Sequence, residues 1–85
     1  MILSSNKSFK KDYQRLSPKT IKKFKQRILL FRQDEFNEIL NNHSLSGKYQ
    51  GYRSINVTGD LRAIYKKEGQ TVIFVAIDSH SNLYR

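Results

Sequence analysis

The residues with the most chemical potential are Asp60, Arg62 and His80, with His43 and Arg53 upstream of them. Two turn signals decide how they meet. Thr58-Gly59 and a turn centred on Glu68-Gly69 fold residues 52–77 into three strands, Tyr52–Val57, Asp60–Lys66 and Thr71–Ile77. A two-residue turn puts Val57 opposite Asp60. A symmetric second turn puts Lys66 opposite Thr71 and Asp60 opposite Ile77. His80 lies three residues past Ile77, about 10 Å further along an extended chain. Asp60 and Arg62 are two apart and leave one face, which Arg53 shares in this register while Asn56 points to the other. An acid, a histidine and one or two arginines therefore meet at one end of a sheet.

That set suits cleavage of an RNA phosphodiester. The 2′-OH must lose a proton to attack the adjacent phosphate, the leaving 5′-oxygen must gain one, and the crowded phosphorane needs cations. Histidine can be base or acid near neutral pH. Arginine matches two phosphate oxygens with its planar fork. This route needs no metal or cofactor, and the chain has no carboxylate cluster of the kind a two-metal nuclease uses.

Each residue also has a plainer reading. His43 sits in a polar stretch typical of surface histidines, and Asp60 after Gly59 suits a turn-stabilising aspartate. Arg62 could pair with Asp60 or Asp78, and Tyr84 could pack on the sheet. Singly these readings come first. Their convergence at one place favours a site.

The elements that must position the site precede it. Met1–Ser4 suits a short edge strand. Phe9, Tyr13 and Leu16 recur at helical spacing, and Ser17-Pro18 then caps and opens a second helix with Ile21, Phe24, Ile28 and Phe31 on one stripe. Asp34–Leu40 suits a further turn or two of helix, ended by Asn41-Asn42, and 43–51 reads as loop. The run Val72–Ile77 is apolar throughout, as in a strand covered on both faces. The fold class expected is α+β, in the order β-α-α-β-β-β, with a two-helix hairpin packed on a small antiparallel sheet.

The chain has 85 residues, enough for one domain spanning 1–85. It has 16 Lys and Arg against 7 Asp and Glu, a net charge of +9. Residues 1–33 hold ten of the basic residues and one acid, so the first half carries the whole positive field. Such a field faces a polyanion, nucleic acid or acidic protein. Zero cysteines exclude disulfide stapling, thiolate zinc sites and cysteine nucleophiles. No apolar run approaches the roughly 18 residues of a membrane span, and the expected compartment is the cytoplasm.

Three segments together resemble a known family. They are His43-Ser-Leu-Ser-Gly-Lys-Tyr-Gln-Gly-Tyr-Arg53, Val57-Thr-Gly-Asp60-Leu-Arg-Ala-Ile-Tyr65 and Asp78-Ser-His-Ser-Asn-Leu-Tyr84. Their order is similar to that of the YafQ-like branch of the RelE/ParE superfamily, the toxins of type II toxin–antitoxin modules. The resemblance implies a RelE-like fold and an mRNA interferase that cuts messenger RNA on the ribosome. It makes His80 the principal acid–base histidine, gives Asp60 and His43 acid–base or orienting roles, and puts Arg62 on the phosphate. Tyr84 would hold the RNA, helped by Arg53 and by Lys22, Lys23 and Lys25 on the second helix. The partner implied is an antitoxin, acidic where it grips the toxin. The branch usually carries another histidine where this chain has Asn56, which cannot exchange a proton near neutral pH.

Two other functions use the same features differently. A ParE-like toxin would bind and poison DNA gyrase without chemistry of its own, and would have no use for His43, Asp60 and His80 together. A plain nucleic-acid-binding module, or a toxin that has lost activity, would bind without turnover.

Overall fold

The computed structural model describes residues 1–84. Strand β1 (Ile2–Ser5) leads into helix α1 (Lys7–Gln14) and helix α2 (Pro18–Gln33). Asn6 caps α1 by accepting from the Phe9 amide at 2.8 Å, and Ser17 caps α2 by accepting from Thr20 N at 3.2 Å. A single 3-10 turn follows at Glu38–Leu40, inside the stretch 34–40 that suited a turn or two of helix. It stops at Asn41, whose φ of 44° lies in the left-handed region that Asn tolerates.

The remaining chain is mostly sheet. Strands β2 (His43–Ser44), β3 (Arg53–Asn56), β4 (Leu61–Glu68) and β5 (Thr71–Ser79) are followed by the short helix α3 (His80–Leu83). Their order across the sheet is β1-β5-β4-β3-β2. The α+β class is as expected, with two differences in the sheet and the short helix α3 added after it. β1 runs parallel to β5, so the sheet is mixed, and β2 adds a two-residue edge strand inside the stretch read as loop.

Helices α1 and α2 cover one face. There Phe9, Phe24 and Phe31 meet Ile55, Val57, Ala63, Tyr65, Val72, Phe74 and Ile77 in one cluster. Its aromatic rings lie 5.1–5.9 Å apart, the range in which tilted and edge-to-face pairs are favourable. The second face is more thinly covered. Ile64, Ala76 and Leu83 are buried there beside Leu45, Tyr49, Tyr52 and Val75. Apolar residues on both sides of β5 account for its unbroken apolar run.

Both hairpin registers differ from those expected. Asn56 faces Arg62 and the Val57 amide donates to Leu61 O at 2.9 Å, so the β3–β4 loop has three residues, Thr58–Asp60. The Thr58 hydroxyl accounts for the third by accepting from Leu61 N at 3.0 Å. The β4–β5 turn is Gly69-Gln70, one residue later than expected, since Glu68 faces Thr71. Gly69 has φ of 61° and takes the first turn position, where glycine carries no steric cost. An irregularity between Ile64 and Tyr65 leaves Val75 without an opposite residue and shifts pairing once more. A one-residue slip exchanges faces, which decides who belongs to the site.

Candidate active site

The candidate site residues gather on the second face of the sheet. At its end, Asn56 on β3, Arg62 on β4 and Asp78 on β5 are register partners in one cross-strand row. One step beyond, the His80 amide donates to Asp60 O at 2.9 Å. The corrected register therefore brings His80 beside Asp60 rather than three residues past its partner. The exposed His80 opens α3, which Ser79 caps by accepting from Asn82 N at 3.2 Å.

Arg62 is held by backbone carbonyls. Its Nη1 donates to Thr58 O at 3.0 Å and Leu61 O at 3.1 Å, and its Nη2 to Gly59 O at 3.2 Å. The ion pairs among the described residues are Lys66–Glu68 and Lys67–Glu35, so neither Asp60 nor Asp78 neutralises Arg62. Asp78 Oδ1 instead accepts from Ser79 N at 2.7 Å and Asn82 Nδ2 at 3.1 Å. The guanidinium is fixed while keeping its full charge.

His43 pairs with Ser54, two residues before Asn56, and so stands one row from Arg62 on the same face, about 7 Å along the strands. Its Nδ1 lies 2.8 Å from Asn41 O. A carbonyl can only accept, so Nδ1 carries the proton and, in the neutral ring, the Nε2 lone pair is left for chemistry.

Arg53 does not join this group. It pairs with Tyr65 and shares Tyr65's face, the helix side, where its Nε donates to Asn42 Oδ1 at 2.7 Å and its guanidinium lies 5.2 Å from the Phe36 ring centroid. The expected placement followed from a two-residue turn, and the third loop residue reverses it. The same slip brings Asn56 into the site row.

Aromatic rings continue from the site across the second face. His80 and Tyr84 have centroids 4.7 Å apart, Tyr84 and Tyr49 6.4 Å, and Tyr49 and Tyr52 6.1 Å. Lys48 Nζ stands 5.2 Å from the Tyr49 centroid. Burial first, then Asp12, Tyr84 and Tyr52, push the Tyr49 phenol above its ordinary value. The sequence reads Lys48 and Tyr49 as loop and Tyr52 as the start of a strand, and none of the three as part of a site. The signal was there in two aromatics between Gly47 and Arg53.

The basic helix reaches the same loop. A surface cleft of about 420 Å³ lies between α2 and Thr58, lined by Lys19, Thr20, Lys22, Lys23, Gln26 and Thr58. Lys22 and Lys23 thus border the loop that holds Arg62, whereas Lys25 is exposed and outside the lining. No helix among the described residues is long and apolar enough to cross a membrane.

A five-stranded sheet backed by two helices is the architecture of RelE- and YoeB-like toxins. The crystal structure of YafQ from E. coli strain BL21(DE3) has a TM-score of 0.83 to this chain at 21% identity, covering 98% of this chain and 97% of that one. A YoeB/ParE toxin from Agrobacterium tumefaciens gives 0.76 at 25% identity, covering 94% and 99%. YafQ in the E. coli DinJ–YafQ complex gives 0.76 at 22% identity, covering 98% and 97%. No curated protein sequence matches. The family described as "Bacterial toxin of type II toxin-antitoxin system, YafQ" matches residues 1–85, and the chain belongs to that family.

Proposed function

We propose that this toxin is an endoribonuclease that cleaves messenger RNA on the ribosome. The observation that supports it most is the meeting of His80, Asp60 and a carbonyl-anchored Arg62 at one sheet end. Three of the five N–H donors of Arg62 go to carbonyls, and two remain for a phosphate. In this reading Arg62 stabilises the phosphorane. His80 and Asp60 exchange protons with the 2′-OH and the leaving 5′-oxygen, and His43 orients or assists. The products are a 2′,3′-cyclic phosphate or 3′-phosphate and a 5′-hydroxyl.

The RNA backbone would run from the site past Thr58 onto Lys22 and Lys23, with Lys25 adding long-range attraction. Tyr84 would stack on a base. The protein would act in the cytoplasm, held inactive by an antitoxin whose acidic segment covers the basic surface. E. coli YafQ has been crystallised with DinJ, which supports such a partner here. The gyrase-poisoning alternative is not favoured, because the family matched is YafQ.

The test is primer extension on a defined mRNA in a reconstituted translation reaction. Codon-phased breaks that need ribosomes and vanish with His80→Ala are expected. Intact mRNA with a folded wild-type protein overturns the reading.

A further inference from the structure

His43 stands on a two-residue edge strand, a poor support for a group that must be aimed. The neighbouring Asn42 is unusually well held. Its Nδ2 donates to Tyr65 OH at 2.7 Å and to Glu35 O at 3.0 Å, while its Oδ1 accepts from Arg53 Nε at 2.7 Å. Tyr65 is fully buried, and its hydroxyl donates to Glu35 Oε2 at 2.8 Å. Lys67 Nζ closes the chain on Glu35 Oε1 at 2.8 Å. Five side chains from the α2–β2 connection, β3 and β4 are tied into one network.

The network and His43 lie on opposite faces. Asn42 reaches Tyr65 on the helix side, whereas His43 pairs with Ser54 on the second face. Neighbouring residues in extended chain diverge in this way. Fixing the side chain of Asn42 fixes the rotation of the backbone that carries His43, and with it the carbonyl of Asn41 that holds Nδ1.

The charges keep the network in one state. Burial alone would raise the Glu35 carboxyl. The hydrogen bonds from Lys67 and Tyr65 and the charges of Lys67 and Arg53 outweigh it and hold Glu35 below its ordinary value. Tyr65 is pushed up to about 12, chiefly by burial, so it remains a donor at working pH.

We propose that Asn42, Tyr65 and Glu35, braced by Arg53 and Lys67, form a positioning device for His43, acting through the β2 backbone from the far side of the sheet. The inference rests on the RNA-cleavage reading for its catalytic consequence. It makes Arg53 a positioning residue rather than an RNA contact.

The experiment is a double-mutant cycle on mRNA cleavage with Asn42→Ala, Tyr65→Phe and His43→Ala. Asn42→Ala is expected to lower kcat about ten- to a hundredfold with KM nearly unchanged, as small misplacements do. Tyr65→Phe, which removes one hydroxyl, should show a smaller loss of the same kind. In a His43→Ala background neither should lower kcat further. Ile28→Val, a core truncation outside the network, should leave kcat as in wild type. Additive losses in the His43→Ala background, or an unchanged kcat, overturn the proposal. If the folded wild type cuts no RNA, the function reading fails separately, and ring-nitrogen NMR decides this one. Loss of the His43 Nδ1 hydrogen bond in Tyr65→Phe, with His80 unmoved, upholds it. An unchanged His43 ring overturns it.

Discussion

The amide of His80 donates to the carbonyl oxygen of Asp60 at 2.9 Å, so the first residue of α3 is stitched to the last residue of the β3–β4 loop. The bond is backbone to backbone and survives side-chain replacement. Chemistry and stability at these two positions should therefore separate. His80→Ala is expected to lower mRNA cleavage by roughly 10²–10⁴, the usual worth of a general acid or base. Its urea midpoint should shift by no more than about 0.5 kcal/mol equivalent, as at other exposed positions. Cleavage assays and denaturation on one preparation check both halves.

Arg62 should behave differently, because its guanidinium supports the loop as well as facing the site. Arg62→Ala leaves the carbonyls of Thr58, Gly59 and Leu61 without that donor and is expected to cost about 1–2 kcal/mol. Arg62→Lys keeps the charge, but an ammonium cannot span three carbonyls and a phosphate. It should lose about 10² in cleavage. Equal activity of Arg62→Lys and wild type would remove Arg62 from the mechanism.

Much of this was legible in the residues. The Ser17-Pro18 cap, the apolar stripes of α1 and α2 and the apolar run of β5 state their elements locally. Loop geometry was less legible. The side-chain acceptor of Thr58 lengthens one turn, the left-handed Gly69 moves another, and Val75 is left unpaired opposite the Ile64–Tyr65 step. The first and third shift pairing by one residue and the second by two, and pairing parity decides which face a side chain joins. A two-residue β3–β4 turn puts Arg53 on the site face and Asn56 on the other, and the observed three-residue loop does the reverse. The Glu35–Tyr65–Asn42 network was not legible, since Glu35 and Tyr65 are 30 residues apart and only the folded sheet brings them together.

Glu35 gives a pH-dependent prediction. Its folded value lies below the ordinary 4.5, so its stabilisation is fully present above the unfolded value and is lost as pH falls through the folded one. Glu35→Gln should be less stable than wild type at pH 7, by on the order of 1 kcal/mol. The gap should close below pH 4.5 as the wild-type carboxyl takes up its proton. Urea unfolding at a series of pH values reads it directly. A constant gap would mean that charge on Glu35 adds nothing.

Lys22 and Lys23 line the cleft beside Thr58, and the basic residues of α1 and α2 take part in neither of the ion pairs described. Replacing both by Gln should weaken RNA binding at low salt. It should also flatten the plot of log affinity against log salt by about 0.7 for each phosphate that is no longer neutralised. An unchanged slope would place the RNA path elsewhere on the protein.

Asn56 offers the most informative single substitution. Its Oδ1 is buried without a hydrogen-bond partner, as is the Oγ of Ser54 two residues earlier on the same face. A buried acceptor with no partner carries a desolvation cost that its removal relieves, so Asn56→Ala should leave the urea midpoint unchanged or raise it. Asn56→His tests the chemistry. A histidine there would lie in register with Arg62, whose charge disfavours the imidazolium and keeps the ring a neutral base at pH 7. The single-turnover rate is then expected to rise several-fold or more, toward the range of general base catalysis. A rise confined to Asn56→His, absent from Asn56→Gln, would put position 56 on the proton path and make this toxin one that works with a reduced acid–base set. No rise, in a variant that folds like wild type, would mean that His80, Asp60 and His43 already carry the proton transfers and that position 56 serves only to line the site.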